Sequence, residues 1–178
     1  MSAPVYGADA AAISAKAEVC VACHGPNGNS ANPAIPSLAG QPKQFITTQL
    51  VMFREGNRKN AQMAPFAANL SNPDINDFGT YFSNHAQTPA GQPATDDKLA
   101  VGRRLVAQFN CSQCHGPALK GIQHIPRLAG QQAEYLRVQL LGFKAATRFD
   151  MDGNMTSAAQ PLSEADIETL AAFLAGLP

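Results

Sequence analysis

Charged residues are scarce in this chain of 178, at 15% of the whole, and neither sign predominates: thirteen Lys and Arg stand against thirteen Asp and Glu. Each half balances by itself, five against five up to residue 90 and eight against eight beyond it. With no basic stripe to displace counterions from phosphates, nucleic acid is argued against as a partner. No apolar run approaches the roughly 20 residues of a membrane span. The opening residues, Met1-Ser2-Ala3-Pro4-Val5-Tyr6-Gly7, lack the basic and then apolar regions of a secretory signal. Cysteine and histidine are rare too, four of each.

Those few are not scattered. All four cysteines fall in two copies of one pattern, Cys20-Val21-Ala22-Cys23-His24 and Cys111-Ser112-Gln113-Cys114-His115. Cysteines three apart lie about one helical turn from each other, so their sulfurs can bond to the two vinyl groups on one edge of a haem. The histidine that follows can then bind the iron. Cys-x-x-Cys-His is the mark of c-type haem attachment. A redox dithiol or a zinc site would also use paired cysteines, but neither asks for a histidine directly after the second. Two covalent haems c are therefore expected, held by Cys20, Cys23, Cys111 and Cys114, with His24 and His115 on the irons. Attachment of this kind takes place, in bacteria, outside the cytoplasm, so a mature or recombinant form with its signal missing or replaced is expected.

The repeat extends well beyond the cysteines. Pro36-Ser37-Leu38-Ala39-Gly40-Gln41 returns as Pro126-Arg127-Leu128-Ala129-Gly130-Gln131. Each copy is followed by an aromatic (Phe45, Tyr135), a Gln-Leu pair (Gln49-Leu50, Gln139-Leu140), a phenylalanine (Phe53, Phe143) and an arginine (Arg58, Arg148). Self-similarity on this scale means one module written twice. The division reads as a module over 1–84, a Pro- and Gly-rich linker over 85–95 and a second module over 96–178.

Three main helices are expected per module. The first runs from an aspartate N-cap (Asp9; Asp96 or Asp97) to the first haem cysteine, with Ala17 and Val19, or Leu99, Leu105 and Val106, giving it an apolar face. The second covers 43–55 and 132–146, with apolar residues at helical spacing. The third follows Ser71-x-x-Asp74 and Ser163-x-x-Asp166, a capping box with Asp in place of Glu. Its buried face is Ile75, Phe78 and Phe82, or Ile167, Leu170 and Leu174. The stretches 25–42, 56–70, 116–131 and 147–162 read as loops around the haem. Modules so rich in loop are marginal on protein core alone, so the haem supplies the apolar centre.

An electron carrier needs a second axial ligand, and methionine sulfur is the usual partner of histidine. Met52 stands opposite Gly142 in the repeat, whereas Met63 stands opposite Met155, which selects Met63 and Met155 and leaves Met52 as packing. Met151 competes with Met155. The gap of seven to the Leu-Ser cap (Leu70, Leu162) recurs only for Met63 and Met155, and the two aspartates beside Met151 suit it to solvent. His85 and His124 do not recur and read as surface or loop residues. The Pro36 and Pro126 carbonyls are candidates to accept the hydrogen bond from each histidine's other ring nitrogen. Arg58 and Arg148 are candidates to pair with haem propionates.

Cys-x-x-Cys-His, then Pro-x-Leu-x-Gly, then a methionine before a capped final helix resembles the class I cytochrome c pattern. Two such modules, each with Pro-x-Leu-Ala-Gly-Gln, resemble the dihaem cytochrome c4 family over nearly the whole chain. The resemblance implies an all-α fold of two tandem cytochrome domains related by a pseudo-twofold, each wrapped around one haem. It also implies a periplasmic carrier, membrane-associated in some members, that serves respiratory donors and a terminal oxidase, here as a monomer with packed domains. Six-coordinate irons leave no position for substrate, so an electron carrier and not an enzyme is expected. Two rivals are the dihaem subunit of a flavocytochrome sulfide dehydrogenase and a dihaem enzyme, either a peroxidase or a thiosulfate-oxidising cytochrome.

Overall fold

The computed structural model describes residues 10–91 and 96–178. The regular elements among the described residues are helices. Among the described residues the only β feature is an isolated antiparallel bridge between Ile122 and Ile125. The first module holds α1 (Ala10–His24), α2 (Lys43–Arg54), α3 (Ala64–Ala67) and α4 (Asn72–Ser83). The second holds α5 (Asp96–Gln108), α6 (Cys111–His115), α7 (Ala133–Lys144), α8 (Asn154–Ala159) and α9 (Glu164–Ala175). The packing repeats: α2 lies on α4 and α1 on α4, while α7 lies on α9 and α5 on α9.

The final helix of each module starts as its sequence demands. Ser71 Oγ accepts from the Asp74 amide at 3.2 Å while Asp74 Oδ2 accepts from the Ser71 amide at 3.2 Å. Ser163 and Asp166 make the same reciprocal pair at 3.1 and 2.9 Å. Each box satisfies amides that the first helical turn leaves without partners. Ser163→Ala is expected to cost the second module about 1 kcal/mol, read as a lowered thermal midpoint. The faces these helices bury are the expected ones, with Ile75, Phe78 and Phe82 in α4 and Ile167, Leu170 and Leu174 in α9 all buried.

The first helices depart from expectation. In the first module α1 runs unbroken through the haem cysteines to His24, but in the second the helix breaks between Gln108 and Cys111. Asn110 causes the break, standing in the left-handed region at φ 53° and ψ 30°, where asparagine is tolerated better than most residues. Val19 is not in the protein core; it is 51% exposed and borders the cavity beside the cysteines, while Ala17 is fully buried. The expected cap Asp9 lies outside the described residues, as do the side chains of Asp96 and Asp97 at the start of α5. On α5, Gly102 permits the closest helix contact, since a Cβ there would sit 2.2 Å from the Phe173 ring of α9.

The expected loops 56–70 and 147–162 contain the short helices α3 and α8, and 25–42 contains a 3₁₀ turn at Pro26–Gly28. Helices of four to six residues are too short to show a period, and they persist through tertiary support. In the stretch expected as linker, the Ala86 carbonyl and the Thr88 amide bond to the Asn29 side chain at 3.0 and 2.7 Å. The Ala90 and Gly91 amides donate to Gly130 and Ala175 in the second module, at 3.1 and 3.0 Å.

Candidate haem centres

All four cysteines, both of the histidines that follow them, Met63 and Met155, Pro36 and Pro126, and Arg58 and Arg148 line one continuous cavity. Its volume is about 1210 Å³, above the roughly 300–1,000 Å³ of a pocket for one small ligand. Its walls include Phe45, Ile46, Phe53 and Phe78 from the first module and Leu136 and Phe143 from the second. The space suits two large flat apolar groups, one in each module.

His24 and His115 are both buried. His24 Nδ1 lies 2.8 Å from the Pro36 carbonyl oxygen, and His115 Nδ1 lies 2.8 Å from that of Pro126. A carbonyl only accepts, so Nδ1 carries the proton in each ring and Nε2 is the nitrogen left for a metal. Burial pushes both imidazoles below the ordinary histidine value, against the smaller opposing effect of the proline carbonyls. Neutral rings with Nε2 unprotonated are the form in which histidine binds iron. The cysteines are not joined in disulfides; Cys20 and Cys111 are half-buried and Cys23 and Cys114 exposed. Burial pushes the Cys20 thiol up to about 11.

The methionines divide cleanly. Met52 is buried in the core of the first module, with the Gln49 amide 3.7 Å from its sulfur. Met63 stands at the N-cap of α3, its amide donating to Asn60 Oδ1 at 2.9 Å. Met155 is in α8, its amide donating to Asp150 Oδ2 at 3.1 Å and its side chain against the second core. Asn60 and Asp150 each stand two residues after the arginine of their module, so the same device holds both methionine backbones. The extra residues of the second loop lie beyond that anchor. Met151 also borders the cavity but is 67% exposed. His85 lies off the cavity and bonds the Tyr81 carbonyl at 2.7 Å, and His124, at its rim, lies 3.4 Å from Asp152.

The two arginines meet at the seam between the modules. Arg58 donates to Gln49 at 2.6 Å, to the Tyr135 hydroxyl at 3.0 Å and to Gln139 at 3.1 Å. Arg148 also donates to Gln139, and each guanidinium stacks on its own module's phenylalanine, Phe53 or Phe143. Burial pushes Arg148 down to about 10. Burial alone would raise the Tyr135 phenol, but the charges of Arg58 and Arg148 bring it below its ordinary value. The Arg148 Nε is buried without a partner. A buried cation with an unmatched donor fits an anionic group in the cavity, such as a haem propionate.

Asn60, Asp150, Gln49, Gln139 and Tyr135 were not singled out as site residues from the sequence. Gln49 and Gln139 did recur in the repeat, and Asn60 and Asp150 carried a signal in their shared offset from the arginines.

A family model described as cytochrome c matches the chain twice, over residues 8–89 and 99–178. The cytochrome c4 of Thiocapsa roseopersicina is 39% identical over 99% of this chain and 96% of its own length. A thiosulfate dehydrogenase electron acceptor from Thiomonas intermedia is 36% identical over 94% of this chain and 82% of its own. The crystal structure of reduced recombinant cytochrome c4 from Pseudomonas stutzeri superposes with a TM-score of 0.87 at 31% identity, covering 97% of this chain and all of that one. With two Cys-x-x-Cys-His sites opening on one cavity and two cytochrome c modules along its length, the chain belongs to the dihaem cytochrome c4 family and carries two covalent haems c.

Proposed function

We propose that this protein is a periplasmic electron carrier that takes single electrons from a respiratory donor complex and passes them to a terminal oxidase or similar acceptor. It works as a monomer, its modules divided about residues 85–95, and performs no substrate chemistry of its own. His24 with Met63, and His115 with Met155, are the axial pairs, and Arg58 and Arg148 hold propionates. When bound, haem supplies one-electron chemistry at iron. The protein fixes each histidine through a proline carbonyl, seats each methionine on Asn60 or Asp150, and walls the haems with apolar side chains.

The observation that carries this reading is the placing of a methionine, anchored by the same backbone bond, on the cavity of each buried histidine. Filled sixth positions predict that the reduced protein does not bind carbon monoxide at neutral pH, followed by the absorption change on mixing. Fast stoichiometric binding at one haem would move the assignment to an enzyme with an open iron. The resemblance to a thiosulfate dehydrogenase electron acceptor supports a second reading, in which the donor is a thiosulfate-oxidising enzyme. Reduction of both haems by such an enzyme with thiosulfate, at rates exceeding those with a respiratory donor, would select it. Co-purification of a flavin subunit would instead select the sulfide dehydrogenase reading.

A further inference from the structure

The glutamine that closes each Pro-x-Leu-Ala-Gly-Gln stretch reaches into the other module. Gln131 Oε1 accepts from the Ser37 amide at 2.8 Å, and Gln131 Nε2 donates to the Ser37 carbonyl at 2.8 Å. Gln41 does the same to Arg127, accepting from its amide at 2.9 Å and donating to its carbonyl at 2.9 Å. Both glutamines are buried, at 3% exposure, with both ends of the amide satisfied. The clasp is reciprocal.

Its target is the peptide unit next to the haem histidine. The Ser37 amide and the Pro36 carbonyl belong to one planar peptide group, and that carbonyl accepts from His24 Nδ1. The Arg127 amide and the Pro126 carbonyl likewise share a peptide group, and that carbonyl accepts from His115 Nδ1. A hydrogen-bonded chain therefore runs from His24 through the Pro36–Ser37 peptide to Gln131, and another from His115 through Pro126–Arg127 to Gln41. Bonds in such a chain polarise one another. An acceptor on the N–H makes the C=O more negative, which draws the imidazole proton and strengthens histidine as an iron ligand.

We infer that Gln41 and Gln131 are positioning residues that act across the module boundary, each tuning the iron of the haem it does not share a module with. Gln131 favours the oxidised state of the first haem, and Gln41 favours that of the second. The coupling is reciprocal by linkage: oxidation of a haem tightens the clasp with the other module. The loop that leads to Pro36 is held more firmly from outside, because Gln132 Nε2 also donates to the Ser30 carbonyl and the Tyr135 amide to the Pro33 carbonyl. The inference rests on His24 and His115 being iron ligands.

The test is Gln131→Met and Gln41→Met in the full two-haem protein. Methionine keeps the volume and removes the amide. Potentials are read by spectroelectrochemistry, and haem methyl and histidine ring resonances by paramagnetic NMR, the haems being assigned from contacts of their thioether bridges to Val21 and Gln113. The expected result for Gln131→Met is an upward shift of the first haem's potential and displaced His24 ring signals, with the second haem unmoved. Gln41→Met gives the mirror result. Gln131→Glu, which keeps an acceptor for the Ser37 amide, leaves the first haem at or below its original potential. Mere loosening with water entry would lower the potential, so the sign separates the two causes. In either methionine variant, a shift confined to the variant's own module, equal shifts at both haems, a downward shift or none would overturn the inference, as would an upward shift of the first haem in Gln131→Glu. If Gln131→Met fails to load two haems, Gln41→Met and Gln131→Glu decide it on the same readouts. The ligand reading is tested apart from this, by the histidine and methionine signals of the unaltered protein.

Discussion

Met155→Ala is expected to abolish the long-wavelength sulfur–iron charge-transfer band of the second haem and to lower its potential, by on the order of a tenth of the ~0.8 V range that axial ligands command. Met151→Ala is expected to change neither. The reason is placement. Met155 packs against the second core with its amide bonded to Asp150 Oδ2 at 3.1 Å, as Met63 is anchored by Asn60 Oδ1 at 2.9 Å. Met151 is 67% exposed, and an exposed thioether gains nothing from the dry apolar wall that favours ferrous iron. Absorbance of the oxidised protein and a potentiometric titration check both variants. Loss of the band in Met151→Ala with its survival in Met155→Ala would reverse the assignment and leave the two-haem reading in place.

The second large effect concerns the cavity itself. Replacing Cys111 and Cys114 together by serine is expected to reduce the covalent haem from two per chain to one, measured by pyridine haemochrome against protein mass. The second module should then lose its tertiary packing. An empty apolar cavity costs about 24 cal/mol per Å³. The second module's share of the 1210 Å³ cavity is far larger than any void a domain stabilised by only ~5–15 kcal/mol keeps open. The first module should keep its haem, because its cysteines and its core of Ala17, Ile46, Phe78 and Phe82 are its own. Its thermal midpoint should nevertheless fall, since Gln131, Gln132 and the Tyr135 amide would no longer hold its 30–37 loop. Loss of both haems would show that neither module stands without the other.

The residues of the candidate site were legible because haem attachment is written locally. A turn of helix sets the spacing of Cys20 and Cys23, and the next residue is the buried histidine proposed as the ligand. The capping boxes at Ser71 and Ser163 and the buried faces of α4 and α9 were legible for the same reason, since contacts three and four residues apart leave a period in the chain. The duplication did further work, separating Met63 and Met155 from Met52 by recurrence alone. Where local preference was weak, the reading was incomplete. Asn110 broke a helix expected to be continuous, α3 and α8 were too short to announce themselves, and Val19 bordered the cavity and not the protein core.

By itself, then, the sequence determined the chemistry: two c-type haem sites, each on a helical module, in a chain with no charge excess. Only the tertiary structure decided how the modules answer one another. Arg58 and Arg148 come from opposite modules to one cluster around Gln139, with Arg58 also on Tyr135. Gln41 and Gln131 bridge sequence separations of 86 and 94 residues to brace the peptides beyond Pro126 and Pro36. Helical periodicity records what a residue meets one turn away on its own helix. It carries no trace of what a buried amide meets across a docked surface, because that partner is chosen by the packing of two finished modules.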